Sequence, residues 1–133
     1  TVYTGDILFI GGHPIIWEGP VKNWIDACDR ILEMDVENIV PGHGPITTKY
    51  GVEQVKLYLE TLKAEAKTRY DAGMSYQETA LDLALDVFDD WGDRERLMVN
   101  CATLFREFGS NHEPEIAELF ASMAAYRRAK NIT

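Results

Sequence analysis

Two side chains in this sequence have the chemistry of metal ligands and sit where a chain could aim them. Asp6 follows a glycine inside an apolar strand pattern, in Thr4-Gly5-Asp6. His43 lies between glycines and prolines, in Pro41-Gly42-His43-Gly44-Pro45. Carboxylate oxygen and imidazole nitrogen both bind zinc, iron and manganese. A buried carboxylate is costly unless a cation or hydrogen-bond donors meet it. The plainer role for Asp6 is a turn aspartate that accepts from nearby backbone amides. The glycines beside His43 permit close backbone approach and the prolines stiffen the loop, so the imidazole can be pointed into a cleft. Its plainer role is a loop histidine bonded for turn geometry. Two ligands do not close a site, because a catalytic zinc takes three from the protein. His13, in Gly11-Gly12-His13-Pro14, is the candidate third ligand or a substrate-side residue. The competing expectation is an exposed loop histidine.

The elements that must position these groups can be read from periodicity. Residues 2–10 are β-branched and aromatic-rich but broken by Gly5-Asp6, which predicts one buried strand or two strand pieces around a turn. Ile15-Ile16-Trp17 reads as a short strand or an apolar flap. Val21, Trp24, Ile25, Cys28, Ile31 and Leu32 fall on one helical face and predict a helix over 21–34. Asn38-Ile39-Val40 is a second strand that runs into the His43 loop. Strand, crossover helix and strand make a βαβ unit in a mainly parallel sheet. Functional residues of such sheets lie beyond the strand C-termini, where His43 falls.

The remainder reads as helical. A helix over 52–72 ends at Gly73, and Ser75 with Glu78 forms a capping box for a helix to about Val87. Asp93 is the expected N-cap of a helix over 94–108 closed by Gly109. Pro114 is expected in the first turn of a last helix over 114–129.

Composition narrows the partners. The chain has 133 residues, 46% hydrophobic and 26% charged, as in a soluble single domain. Its 22 acidic residues against 13 Lys and Arg give a net charge of -9, which repels nucleic acid. No stretch reaches the ~20 apolar residues of a membrane span. Cys28 and Cys101 match no zinc or redox spacing and are expected to be reduced core thiols, consistent with a cytoplasmic location. Trp24 is expected in the core. Trp17 is a candidate substrate wall, and His112 a surface loop residue. Asp82, Asp86, Asp89 and Asp90 are expected on a solvated face, since a calcium loop would need a glycine turn that is absent.

Taken together, the motifs resemble one family. From Val2 to about Leu62 the chain resembles the C-terminal half of metallo-β-lactamase-fold hydrolases. There a strand ending in Gly-Asp supplies a carboxylate that bridges two metals, and a PGHG-type loop supplies a histidine to the second metal. Asp6 and His43 match those positions. The segment Gly19-Pro20-Val21-Lys22-Asn23-Trp24 is similar to a bacterial branch of generic hydrolases in this superfamily. So, more weakly, are Trp91, Glu95-Arg96-Leu97 and Phe105-Arg106-Glu107-Phe108.

The resemblance implies a partial αββα fold, a small βαβ unit followed by a largely helical C-terminal region, in one domain over 1–133. It implies zinc, or iron or manganese, as cofactor. It also implies hydrolysis of an ester, thioester or lactone-like bond in a small-molecule substrate by metal-activated water. The family's HxHxDH segment and its further histidine are not in this sequence, and the resemblance places both upstream of Thr1. The chain alone is therefore expected to be inactive and to need either a missing N-terminal half or a second copy of itself. The alternative function is a non-catalytic oligomeric or binding protein that keeps the scaffold without a complete metal site.

Overall fold

The computed structural model describes residues 1–131, with the backbone alone for Asp6, Asp86 and Val87. It is an α/β arrangement with a small parallel sheet and a largely helical remainder. The elements are β1 (Val2–Phe9), α1 (Val21–Glu33), β2 (Ile39–His43), α2 (Lys49–Asp71), α3 (Tyr76–Asp82), α4 (Leu97–Phe108) and α5 (Ile116–Ala129). Two single 3-10 turns, Asp86–Asp90 and Arg94–Arg96, join α3 to α4. Among the described residues, no helix is long and apolar enough to cross a membrane.

β1 and β2 pair in parallel, with α1 as the crossover, as the apolar pattern requires. Val2 lies opposite Ile39, Gly5 opposite Pro41 and Phe9 opposite His43, with irregularities on both sides of Gly5. Gly5 adopts φ +57, a conformation that costs other residues energy. The break expected there is thus an irregularity within one strand, not a turn between two. β2 extends three residues beyond the expected strand and includes His43 itself.

α1 and α2 pack on each other and flank the sheet. α2 buries Val52, Val55, Tyr58, Leu59, Leu62 and Ala66. Each large apolar side chain among them contributes about 1.5–3 kcal/mol of transfer free energy. α4 is the central helix of the remainder and touches α2, α3 and α5. Every residue from Leu97 to Phe105 is buried, so α4 has no solvated face over that stretch. Cys28 and Cys101 are free thiols in the core.

Three boundaries differ from expectation. The Ser75–Glu78 capping box is formed in both directions, but α3 stops at Asp82 instead of near Val87. Leu83, Leu85 and Phe88 are all buried, a spacing that no single helical face can satisfy, and the chain leaves the helix to bury them. Asp93 caps nothing with its side chain, because it takes φ 62. Its carboxylate lies 3.6 Å from the Arg96 guanidinium instead. Pro114 precedes the last helix, because the first α5 amide bond, from Leu119 N–H, reaches back only to the Glu115 carbonyl at 3.0 Å. Of the two forms expected for Ile15-Ile16-Trp17, a short strand or an apolar flap, the segment takes the second: among the described residues it pairs with no strand, and it straps across α4.

Candidate functional site

The strap is held by a row of polar side chains on α4. Asn100 Oδ1 accepts from Ile16 N–H at 2.8 Å, and Asn100 Nδ2 donates to the Pro14 carbonyl at 2.8 Å. One turn on, Thr103 Oγ1 donates to the Ile16 carbonyl at 2.6 Å. A turn further, Arg106 Nη2 donates to the Trp17 carbonyl at 3.1 Å. Positions 100, 103 and 106 share one helix face, so a helix replaces the missing neighbour strand for this extended segment.

The strap walls a cleft at the C-terminal ends of the strands. Its volume is about 400 Å³, and Phe9, Ile15, Trp17, Trp24, His43 and Arg96 line it, with Glu18 at its margin. The His43 ring stacks on Phe9 with centroids 4.3 Å apart and planes within 3°. The Arg96 guanidinium lies 5.5 Å from the same Phe9 ring. Arg96 is itself fixed by donating to the His13 carbonyl at 2.9 Å. A permanent cation, an imidazole and two indoles therefore share one opening. Trp24 is half-buried, so it serves both the core, as expected, and the cleft wall.

The loop that presents His43 is pinned at both ends. Ile39 and Thr47 exchange two backbone bonds of 2.8 Å, and Ile10 N–H donates to the His43 carbonyl at 2.9 Å. Gly44 adopts φ +96 with its Cα hydrogen against Ile10, and a Cβ there would collide with the Ile10 carbonyl oxygen. Gly44→Ala is expected to cost about 2 kcal/mol or more and to displace the imidazole. Urea unfolding, with the His43 ring signal followed by NMR, checks both effects.

Of the residues expected to form a site, His43 is exposed at the cleft, and Asp6 lies on the paired strand three residues before Phe9, the residue opposite His43. The Asp6 carboxylate falls outside the described residues. Among the described residues, no group of three or more His, Cys, Asp and Glu gathers as a metal site. Burial pushes the Cys28 thiol up to about 11 and the Cys101 thiol up to about 12, so neither is a thiolate ligand or nucleophile near neutral pH.

His13, expected as a third ligand or substrate-side residue or else as an exposed loop residue, is not exposed and is not among the residues that line the His43 cleft. Its ring is fully buried, with Nδ1 2.7 Å from the Tyr58 hydroxyl and its edge toward Trp91. Two backbone bonds draw it in: His13 N–H to the Gly92 carbonyl at 2.8 Å, and Gly92 N–H to the Gly11 carbonyl at 3.0 Å. His112 is exposed, as expected, and bonds Glu118 at 2.9 Å. Sequence periodicity gave no sign of Asn100 or Thr103 as strap anchors, since each sits inside an apolar helical run. No family model matches this sequence, and no curated protein matches it at a significant level.

Proposed function

We propose that this chain is the metal-binding C-terminal portion of a metallo-β-lactamase-type hydrolase that acts on an ester, thioester or lactone-like bond. One observation carries the reading. The Gly-Asp strand and the Pro-Gly-His strand are parallel neighbours, and His43 stands at the mouth of the cleft at their C-terminal ends. Ligand sites in parallel sheets form at such places.

The donor types, one imidazole and one carboxylate, fit zinc, iron or manganese. The donor number does not close a catalytic site, which takes three protein ligands. His43 and Asp6 would hold part of the metal shell, and chain outside these residues or a second copy would complete it. A metal held there supplies a Lewis acid and a water acidic enough to react near neutral pH. The chain's own residues do the rest. The Phe9 stack and the pinned loop fix the His43 ring. Arg96 places positive charge beside it, and Trp17 with Trp24 narrows the approach of water.

A second reading, a non-catalytic assembly protein, is favoured by a different feature. Among the described residues the sheet has only two strands, so each has an edge that no further strand pairs. Tyr3, Ile46 and Tyr50, at 78%, 66% and 69% exposure, leave apolar surface on and beside it. Zinc loading followed by desalting and elemental mass spectrometry separates the two. The hydrolase reading expects about one zinc per chain at most, lost in His43→Ala. Zinc no higher than in His43→Ala would leave only the assembly reading.

A further inference from the structure

The His43 cleft does not end at Trp17. A second cavity of about 290 Å³ lies on the far side of the strap, between α4 and the start of α5. It shares Trp17 and Glu18 with the cleft, so the two spaces meet at the indole. Its floor is apolar: Val99, Ala102 and Leu119. Its outer rim is Ile116, 63% exposed, and just beyond it stands Phe120, 56% exposed. The Trp17 and Phe120 rings meet edge to face at 6.3 Å. Trp17 is itself 41% exposed, although three α4 side chains hold the strap that carries it. Three large apolar side chains, Trp17, Ile116 and Phe120, thus stay in water around this second cavity. Isolated exposed apolar groups are ordinary, but a row continuous with a cleft marks a binding surface.

We propose that this trough binds the apolar arm of an elongated substrate, an acyl or aryl chain whose polar head lies at His43. The proposal rests on the reading of the His43 cleft as the reaction centre. The division of chemistry along the trough selects this occupant. The His43 end carries the imidazole and the Arg96 cation, which suit an oxygen-rich head, and the Glu18 carboxylate stands where the two spaces meet. Past Trp17 the lining is mainly aliphatic, with Val99, Ala102, Ile116 and Leu119, which suit methylenes, and the Thr103 hydroxyl among them is bonded to the Ile16 carbonyl. Arg106 lines the second cavity, but its guanidinium is committed to the Trp17 carbonyl at 3.1 Å. Trp17 is the hinge point of specificity, because its indole forms a wall of both spaces.

The test titrates zinc-treated full chain with acetohydroxamic, hexanohydroxamic and decanohydroxamic acids, followed by tryptophan fluorescence. Affinity is expected to rise with chain length, by roughly tenfold for each pair of methylenes that becomes fully buried. In the double variant Ile116→Ser/Phe120→Ser, acetohydroxamic acid should bind as in the wild type, and the gain from chain length should fall to under about threefold. Both residues are exposed, so this variant keeps its core. No gain with length in the wild type overturns the proposal, and so does an undiminished gain in the double variant. A change of oligomeric state in the double variant by light scattering also overturns it, since the row would then be a contact between copies. The two readings fail separately. If His43→Ala loses zinc but keeps the length dependence, the trough stands on its own. If the wild type holds zinc and shows no length dependence, the metal reading stands without the trough.

Discussion

Asn100→Ala is expected to destabilise the chain by about 4 kcal/mol, a large effect for removing one amide. The side chain is fully buried on α4 and serves three partners at once. It accepts from Ile16 N–H, donates to the Pro14 carbonyl, and reaches the Tyr58 hydroxyl at 3.3 Å. Alanine would leave all three buried without that partner, and each buried polar group stripped of its bond costs about 1–3 kcal/mol. Of the three, Tyr58 keeps another bond, to His13 at 2.7 Å. Thr103→Val is the comparison. It keeps the shape and removes one bond to the same strap, so about 1–2 kcal/mol is expected. Urea unfolding of the three proteins measures both differences. Limited proteolysis then distinguishes global loss from local release, in which cleavage near Ile15-Ile16-Trp17 outpaces unfolding. A cost for Asn100→Ala under about 1 kcal/mol would mean that packing, not this amide, holds the strap.

The contrast between Asn100 and the α1 stripe shows what a sequence can reveal. Val21, Cys28 and Ile31 repeat at the helical period and are buried on one face, so both the helix and its orientation follow from local pattern. The capping box at Ser75 and Glu78 is likewise a local interaction, closed within one turn. The parallel pairing of β1 and β2 follows from the length of the crossover between them. Asn100 differs because its partners on the strap lie more than eighty residues earlier in the chain and Tyr58 lies on a different helix. In α4 every side is covered, so the helix has no amphipathic signal from which to pick out a polar face. The strap escapes pattern reading for the same reason. Ile15-Ile16-Trp17 is extended without a strand neighbour, and its bonds go to helix side chains.

The site divides along the same line. His43 could be placed at a strand C-terminus because the Pro-Gly-His-Gly run carries its own geometry, including the positive φ of Gly44. The other members of the cleft arrive from distant elements. Arg96 comes from a 3-10 turn after α3, and Trp17 from the strap. His13 is the sharpest case, since a glycine-rich loop ordinarily exposes its side chains. The backbone pairing with Gly92, nearly eighty residues later, turns this one inward.

That burial makes His13 an acid-sensitive point of the fold. Desolvation is the main reason its pKa falls from 6.5 to about 4. Arg94 pushes the same way, while the Phe88 carbonyl, Asp89 and Asp93 oppose it. The Tyr58 hydroxyl, 2.7 Å from Nδ1, and the Trp91 ring complete the surroundings. The folded state thus holds the ring neutral, and the unfolded chain binds a proton more readily. Between the two pKa values the unfolded state carries more protons, so stability rises with pH. The contribution is complete above about pH 6.5, declines as pH falls, and reaches its full penalty below about 4. The difference in pKa corresponds to about 3 kcal/mol at the acid limit. The urea midpoint followed from about pH 7.5 down to 4 is expected to fall more steeply for the wild type than for His13→Gln. Carboxylate protonation lowers both curves alike, so their difference reports the one ring. Parallel curves would show that His13 does not carry the acid sensitivity. If His13→Gln does not fold, the wild-type His13 ring signal followed by NMR decides the matter, because a midpoint near 6.5 would contradict a ring held neutral by burial.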